Sequence, residues 1–261
     1  MGHERIGLLP RTTKWRTIID DLARYSHNNA DVGTIGSRVL ENVRHRFADI
    51  SDDKGVNAAF SFLVTMAFSG KSRKSTQELT QAEIRVDRNA SDIQIAKEVN
   101  RWVEKNVQSR ECGELAKAAA IDTISAWSDK IRTGQESFFG KSETNEEIWG
   151  KASDGSGFCE LSRLFFSKFT ERYLSYFIER EASSQFISWE DSARLRKELN
   201  DHIQRVSKYA FETAKITESF AAGWYNKNTK EGLPSAKQVR GFLWMAFEKL
   251  REELRREKER Q

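Results

Sequence analysis

The sequence predicts an all-α protein, an irregular multi-helix bundle with long amphipathic helices in its C-terminal half. Along most of the 261 residues, apolar side chains recur at the i, i+3, i+4, i+7 spacing of one helix face. The two prolines, Pro10 and Pro234, each stand just before such a pattern, so the strongest helix breaker is absent from the helical stretches. No repeat of fixed period is visible, and the predicted helices differ in length, which favours an irregular bundle over a solenoid.

The N-terminal half is predicted to form a series of helices of moderate length. Thr12 or Thr13 can cap the first, because a hydroxyl there accepts a bond from a free backbone N–H group. Residues 26–36 are rich in Asn and Gly, which predicts a loop. Residues 82–86 alternate between polar and apolar side chains and are the candidate for a short strand. The apolar faces that define the helices are Trp15–Ile18–Ile19–Leu22, Ile35–Val39–Val43–Phe47, Phe60–Leu63–Val64–Ala67–Phe68, Ile95–Val99–Trp102–Val103 and Leu115–Ala118–Ala119–Trp127.

The C-terminal half is predicted to hold the longest helices. Residues 135–157 mix Gly with Ser, Asn, Asp and Glu, and are predicted to be a loop or a domain boundary. This divides the chain into an N-terminal helical region (1–134) and a C-terminal long-helix region (158–261), with one single domain as the alternative. Ser188 can cap a helix that continues towards Trp224, over about 50 Å at 1.5 Å per residue. The segment 223–232 is predicted to break this helix, and a last helix follows Pro234, with a charged, frayed end from residue 251 onwards.

The composition favours no particular chemistry. Lys and Arg number 43 against 39 Asp and Glu, a net charge of +4, with both signs interleaved along the chain. Cys112 and Cys159 form no Cys-x-x-Cys pair and are distant from histidine in sequence, so we expect free thiols, no metal and no cofactor. No apolar run of about 18 residues is present, so we expect no membrane segment and a cytoplasmic location.

Two basic segments with aromatic residues are candidates for a nucleic-acid interface. In such an interface, cations hold phosphates and aromatic rings stack on bases. One segment surrounds Trp15 and the other runs from Trp224 to Lys230. The alternative is that both tryptophans belong to core stripes. The candidate binding residues are Arg11, Lys14, Arg16, Tyr225, Lys227 and Lys230.

Two stretches resemble the Arg/His motif of the all-helical HEPN ribonucleases: Arg38 to His45, and Arg196 to His202. The resemblance covers these few residues only. It implies RNA cleavage by an Arg/His pair across a dimer cleft, in which the pair stabilises phosphate charge and moves protons. The residues after the two arginines, Val39 and Lys197, depart from the polar residue that is usual in the family. We therefore prefer to interpret these residues as ordinary surface positions on amphipathic helices.

No coherent catalytic constellation is visible, so the sequence favours a protein that is not an enzyme. The preferred hypothesis is a non-catalytic helical subunit or adaptor of a larger prokaryotic-type protein complex, with a protein partner or a second copy of the chain bound to a long helix. A nucleic-acid-binding accessory protein, with DNA or RNA as the partner, is the alternative, and a HEPN-like ribonuclease ranks below it. A role in antiviral defence is a hypothesis about biological context that no single residue carries.

Overall fold

The computed structural model confirms the all-α fold class, since the described residues form helices and no β-strand. The structure describes residues 13–25, 31–36, 38, 49–71, 75–87, 89–106, 111–134, 144–182, 188–212 and 218–260. A short 3₁₀ helix covers Asp49–Asp52. The α-helices within the described ranges are α1 (Thr13–Tyr25), α2 (Lys54–Ser69), α3 (Ser75–Gln81), α4 (Asp92–Asn106), α5 (Glu111–Gly134), α6 (Asn145–Ala152), α7 (Gly155–Ala182), α8 (Trp189–Glu212), α9 (Glu218–Asn228) and α10 (Ala236–Arg260).

Helix α2 lies at the centre of the bundle. Its sequence is mostly apolar, and its buried residues lie all round the helix, as is typical of a core helix. Asp53 caps it, since Asp53 Oδ1 accepts a hydrogen bond from the backbone N of Val56 at 2.9 Å. Helices α4, α5, α6 and α10 pack around it. The helix predicted from the apolar face Phe60–Leu63–Val64–Ala67–Phe68 is therefore confirmed.

A group of aromatic rings joins α2, α7, α9 and α10. Phe60 of α2 and Phe242 of α10 stack with ring centroids 5.3 Å apart. Phe158 of α7 stacks on Tyr225 of α9 at 4.3 Å, and Trp224 lies 4.7 Å from Phe242. Aromatic pairs of this kind contribute about 0.5–1.5 kcal/mol beyond the area they bury. These contacts hold one face of α10 against the bundle.

The predicted loop over residues 135–157 contains a helix. Residues 135–143 lie outside the described part, but α6 follows them directly. A capping box starts α6: Thr144 N donates to Glu147 Oε2 at 2.7 Å, and Glu147 N donates to Thr144 Oγ1 at 3.3 Å. Glycine and acidic residues suggested a loop here, yet the acidic residues stabilise the first turn of a helix. The division of the chain into two helical regions at this segment stays a prediction.

Residues 82 and 83 form a turn after α3, and residues 84–87 belong to no regular element, where the alternating pattern suggested a strand. No neighbouring strand pairs with this segment among the described residues, and side chains of α4 bind its backbone instead. These bonds run from Trp102 Nε1 to Ala82 O at 2.8 Å, from Arg101 Nη2 to Glu83 O at 2.7 Å, and from Arg85 N to Glu98 Oε1 at 2.6 Å. The alternation is real, because Ile84 and Val86 are buried whereas Arg85 is exposed.

Predicted boundaries in the C-terminal half hold in part. Ser188 caps α8 as expected, since its Oγ accepts a bond from Asp191 N at 3.0 Å. The long helix predicted to continue towards Trp224 appears as α8 and α9, with residues 213–217 outside the described part. Helix α9 continues through Gly223, so the predicted break begins later. The last helix extends to residue 260 and so includes the charged end that begins at residue 251, whose fraying stays a prediction.

The region before α2 departs from its prediction as well. Residues 32–36, predicted as loop, are helical, and Val32 and Ile35 are buried. Most of the second predicted helix, which was to carry Val39, Val43 and Phe47, lies outside the described residues.

Candidate functional site

Helix α10 has two faces of different character. Pro234 precedes it, and a capping box starts it: Ser235 N donates to Gln238 Oε1 at 2.8 Å, and Gln238 N donates to Ser235 Oγ at 3.4 Å. One face of the helix packs into the bundle at the spacing of a helical stripe. Its buried residues are Val239, Phe242, Leu243, Ala246, Phe247 and Leu250.

The opposite face carries large apolar side chains in solvent. Trp244 is 56% exposed and Met245 is 40% exposed, although both belong to a helix whose other side is fully buried. Single exposed apolar residues are ordinary, but an exposed tryptophan beside an exposed methionine is typical of a protein-binding surface. We call this surface the outer face of α10. Its residues are Lys237, Arg240, Gly241, Trp244, Met245 and Glu248.

Four of these residues form a straight stripe along the helix. Lys237, Gly241, Trp244 and Glu248 follow one another at spacings of four, three and four, which places them on adjacent turns of one side. Gly241 is exposed, and a Cβ added to it would have no atom within 4 Å. The fold therefore gives no packing reason for glycine at this position. Its effect is a notch in the helix surface one turn before the Trp244 ring.

Charge along the outer face changes sign from its N-terminal to its C-terminal end. Arg240 Nε lies 2.6 Å from Asp52 Oδ1, and both side chains are more than half exposed, so this pair contributes little to stability. Glu248 accepts a hydrogen bond from Arg251 on the next turn. Lys237 has no ion-pair partner in the part of the chain that the structure describes. The stripe thus presents a cation at one end and a carboxylate at the other.

The first predicted nucleic-acid segment is only partly described. Arg11 lies outside the described residues, and so does the side chain of Lys14, although Lys14 belongs to α1. Arg16 is exposed on α1.

The second predicted segment needs a correction at Tyr225. Its ring is fully buried and stacks on Phe158, so it is not available to stack on a base. Burial raises the pKa of the Tyr225 hydroxyl, and the charges of Asp154 and Glu78 raise it further. Lys227 and Lys230 are exposed, as a phosphate contact requires. Aromatic residues at helical spacing belong to the core here, and the lysines between them face solvent.

Neither of the two Arg/His motifs forms an Arg/His pair at the surface of the part of the chain that the structure describes. Arg196 is exposed on α8, whereas His202 is 1% exposed within the bundle. At about 100° per residue, six residues place the two side chains about 120° apart around the axis of α8, so they leave the helix on different sides. Arg38 forms an ion pair with the buried Asp21, and His45 lies outside the described residues.

A cavity of about 370 Å³ lies between the segment 82–87 and α4. Two of the cations that line it bind the chain's own carboxylates: Lys105 Nζ lies 2.6 Å from Glu83 Oε2, and Arg101 pairs with the buried Glu98. Burial alone would raise the pKa of Glu98, but hydrogen bonds from Arg101 and from the backbone of Arg85 outweigh it and hold that pKa below its usual value. This arrangement fastens the segment 82–87 to α4.

Among the described residues, no group of three or more His, Cys, Asp and Glu side chains is placed to hold a metal ion. Within the same residues, no helix has the length and apolar character to cross a bilayer. Searches of protein families, curated proteins and solved structures find no match to this chain. The outer face of α10 is therefore interpreted from its own geometry.

Sequence reasoning did not select Trp244 or Met245, although a signal for both was present. The apolar stripe of the last helix runs through Val239, Phe242 and Leu243. Trp244 lies at a spacing of three or four from none of these residues, and Met245 lies at such a spacing from Phe242 alone, which places it at the edge of the stripe. Large apolar residues out of phase with a core stripe are candidates for exposed contact residues.

Proposed function

We propose that this chain is a non-catalytic helical subunit, or adaptor, which acts by binding a protein through the outer face of α10. The observation that carries the proposal is the exposure of Trp244 and Met245 on a helix whose opposite face is anchored in the aromatic core. A helix held in this way presents its outer side chains in a fixed geometry. Binding then requires little ordering of the surface, which lowers the free-energy cost of association.

The residue types of the outer face agree with a protein partner. Trp and Arg are enriched among the residues that contribute most to protein–protein binding, and methionine adapts to irregular surfaces. Trp244 supplies an anchor, and the exposed cations Lys237 and Arg240 supply a polar rim. A helical face of this kind is bound by a groove or by another helix.

The test compares variants in the native host. The tagged wild-type chain and a Trp244→Ala variant are purified gently, and the complexes are compared by native mass spectrometry. We expect Trp244→Ala to lose a stoichiometric protein component that the wild type retains. Trp189, which is 84% exposed at the start of α8, provides the matched control, and Trp189→Ala is expected to retain that component. Identical complexes for the wild type and for Trp244→Ala would contradict the proposal.

A second candidate function is binding of single-stranded nucleic acid, and a specific observation favours it. Lys227, Lys230 and Lys237 are exposed around the turn that joins α9 to α10, and Trp244 is the exposed aromatic ring on the helix that follows. Exposed lysines with a stacking ring are the components of a sequence-tolerant single-strand surface.

This candidate predicts a strong dependence on salt. Binding of a fluorescent single-stranded oligonucleotide should weaken steeply with added salt, because each phosphate contact releases counterions. Replacing Lys227, Lys230 and Lys237 together with Gln should reduce that slope by about two, since each of the three phosphate contacts to a single strand contributes about 0.7. Lys97, exposed on α4, gives the control substitution. An unchanged slope in the triple variant would exclude this surface.

A further inference from the structure

We propose that the partner of the outer face is a second copy of this chain, bound with the two α10 helices antiparallel across a two-fold axis. The inference deepens the proposed function and rests on it. The axis would pass through the stripe midway between Gly241 and Trp244. Each Trp244 ring would then fill the notch at Gly241 of the partner subunit, and each Lys237 would lie opposite Glu248 of the partner subunit.

The positions on the stripe are self-complementary. Lys237 precedes Gly241 by four residues, and Glu248 follows Trp244 by four residues. Reversing the helix about the midpoint therefore exchanges cation with carboxylate and ring with notch. A two-fold interface needs this property, since the same surface must fit itself. The outer face carries both halves of each contact.

The Gly241 notch makes close approach possible. A glycine within a helix costs about 1 kcal/mol relative to alanine, and the fold provides no contact at Gly241 that explains it. Without a Cβ, the backbone of one helix admits a bulky side chain from another, as a knob enters a hole. Trp244, one turn away on the same stripe, supplies a knob of suitable size.

Electrostatics select the antiparallel arrangement. In a parallel pair, each Lys237 would face Lys237 of the partner subunit, and the Glu248 carboxylates would also face each other, which is unfavourable. In the antiparallel pair both ends carry opposite charges, and the helix dipoles oppose each other as well. Lys237 forms no ion pair in the described part of its own chain, whereas Glu248 already accepts a bond from Arg251 on its own helix. Lys237 of the partner subunit would therefore be a second cation beside the Glu248 carboxylate.

The contact is short, which sets the affinity to expect. Lys237 and Glu248 are eleven residues apart, so the stripe spans about 16 Å at 1.5 Å per residue. An interface of this length belongs to the small class of weak or transient contacts. We therefore expect a reversible dimer with a Kd in the micromolar range, on the order of 10 µM.

The arrangement is tested by exchanging the charges at positions 237 and 248. The dimer Kd of each variant is measured by sedimentation velocity over about 1–300 µM protein, a range that brackets the expected Kd. Lys237→Glu and Glu248→Lys should each weaken the dimer by about ten-fold, because each creates a pair of like charges. The double variant K237E/E248K should return to within about three-fold of the wild-type Kd, since it restores both pairs. The two residues lie too far apart to pair within one chain, so this rescue can arise only between two copies. Lys97→Glu controls for net charge and should leave the Kd unchanged.

Two exposed helical glycines provide a matched test of the notch. Gly241 and Gly223 both lack any atom within 4 Å of an added Cβ. Gly241→Gln should fill the notch and weaken the dimer by about ten-fold, whereas Gly223→Gln should change the Kd by less than about two-fold. Thermal unfolding of each variant at low concentration checks the monomer fold, which we expect to be kept because a Cβ at either position meets no neighbouring atom.

The outcomes separate this inference from the proposed function. A wild-type chain that is monomeric at every concentration, or a charge exchange without rescue, overturns the dimer. If Trp244→Ala nevertheless loses a different host protein, the outer face remains a binding surface and the proposed function stands. A dimer that is unaffected by Trp244→Ala would overturn this interface.

Discussion

Phe242 and Trp244 are two residues apart on α10 and lie in opposite environments. The Phe242 ring is fully buried and stacks on Phe60 with centroids 5.3 Å apart, whereas Trp244 is 56% exposed. An α-helix turns by about 100° per residue, so two residues reverse the direction in which a side chain leaves the helix. Helical phase rather than hydrophobicity therefore decides which aromatic residue belongs to the core and which is available to a partner.

This relationship predicts different stability effects for two similar substitutions. Phe242→Ala removes a ring from the aromatic core and should lower the free energy of unfolding by about 3–5 kcal/mol. Trp244→Ala should change it by no more than about 0.5 kcal/mol, because an exposed ring has few partners to lose. Urea unfolding at low protein concentration, where the chain is monomeric, measures both. Equal effects of the two substitutions would show that the assignment of the faces is wrong.

Much of the fold is predictable from helical periodicity, and the exceptions have local causes. The central helix α2 follows from its apolar run, and α10 follows from its stripe and the preceding Pro234. Helix α6 was missed because its sequence is rich in glycine and acidic residues, and its capping box lies at Thr144 within that segment. The two hydrogen bonds of the capping box stabilise this short helix. Its eight residues are too few for the spacing of apolar side chains to reveal it.

Close backbone contact at Gly70 predicts a clear difference between two glycine substitutions. A Cβ added to Gly70 would lie 2.4 Å from the carbonyl carbon and oxygen of Trp149, so Gly70→Ala should destabilise the fold by about 1–3 kcal/mol through overpacking. Gly223→Ala should instead stabilise it by up to about 1 kcal/mol, because alanine favours the helix and meets no atom. Thermal unfolding distinguishes the two signs. A stable Gly70→Ala protein would mean that α2 and α6 are not in direct backbone contact.

Backbone strain at Glu83 predicts an unusual preference for glycine. Glu83 has a φ of 59°, a left-handed conformation that is unfavourable for residues with a Cβ. Glu83→Gly and Glu83→Ala both lose the ion pair with Lys105, so their difference isolates the backbone. We expect the glycine variant to be more stable by about 1 kcal/mol.

The control for this prediction is the same pair of substitutions at Gln77, an exposed position within α3. There alanine should be the more stable variant by about 1 kcal/mol, because φ is helical and glycine disfavours a helix. The prediction at Glu83 is wrong if both positions prefer alanine. Urea unfolding of the four variants gives the comparison.

The site residues were less predictable than the fold, and Tyr225 and Trp244 explain why. Both are aromatic residues near basic side chains, yet Tyr225 is buried and Trp244 is exposed. Composition along a segment does not record the direction of a side chain, which depends on how α9 and α10 pack against α7 and α2. The lysines at positions 227 and 230 were predictable as exposed, because a charged side chain is rarely buried without a partner.

The carboxylate of Glu160 on α7 lies between Arg163 of the same helix and Lys130 of α5. Arg163 on the next turn donates from Nη2 to Glu160 Oε1 at 2.6 Å and from Nε to Oε2 at 3.1 Å. Lys130 of α5 places its Nζ 2.8 Å from Oε1. Burial alone would raise the pKa of Glu160, but the hydrogen bonds and charges of Arg163 and Lys130 outweigh it and lower the pKa to about 2.

The lowered pKa of Glu160 predicts a dependence of stability on acid. The pKa in the folded state, about 2, is below the ordinary value of 4.5, so the ionised carboxylate stabilises the folded chain at all pH values above that ordinary value. This contribution, about 1–3 kcal/mol, is lost as the pH falls from about 4.5 through 2. Glu160→Gln should therefore be less stable than the wild type at neutral pH, and its free energy of unfolding should fall less steeply over that acid range.

Glu231→Gln, at an exposed position after α9, provides the control and should keep the wild-type slope of the free energy of unfolding against pH. Urea unfolding at a series of pH values measures both slopes, and parallel curves for Glu160→Gln and the wild type would show that the ion pairs of Glu160 contribute nothing to folding.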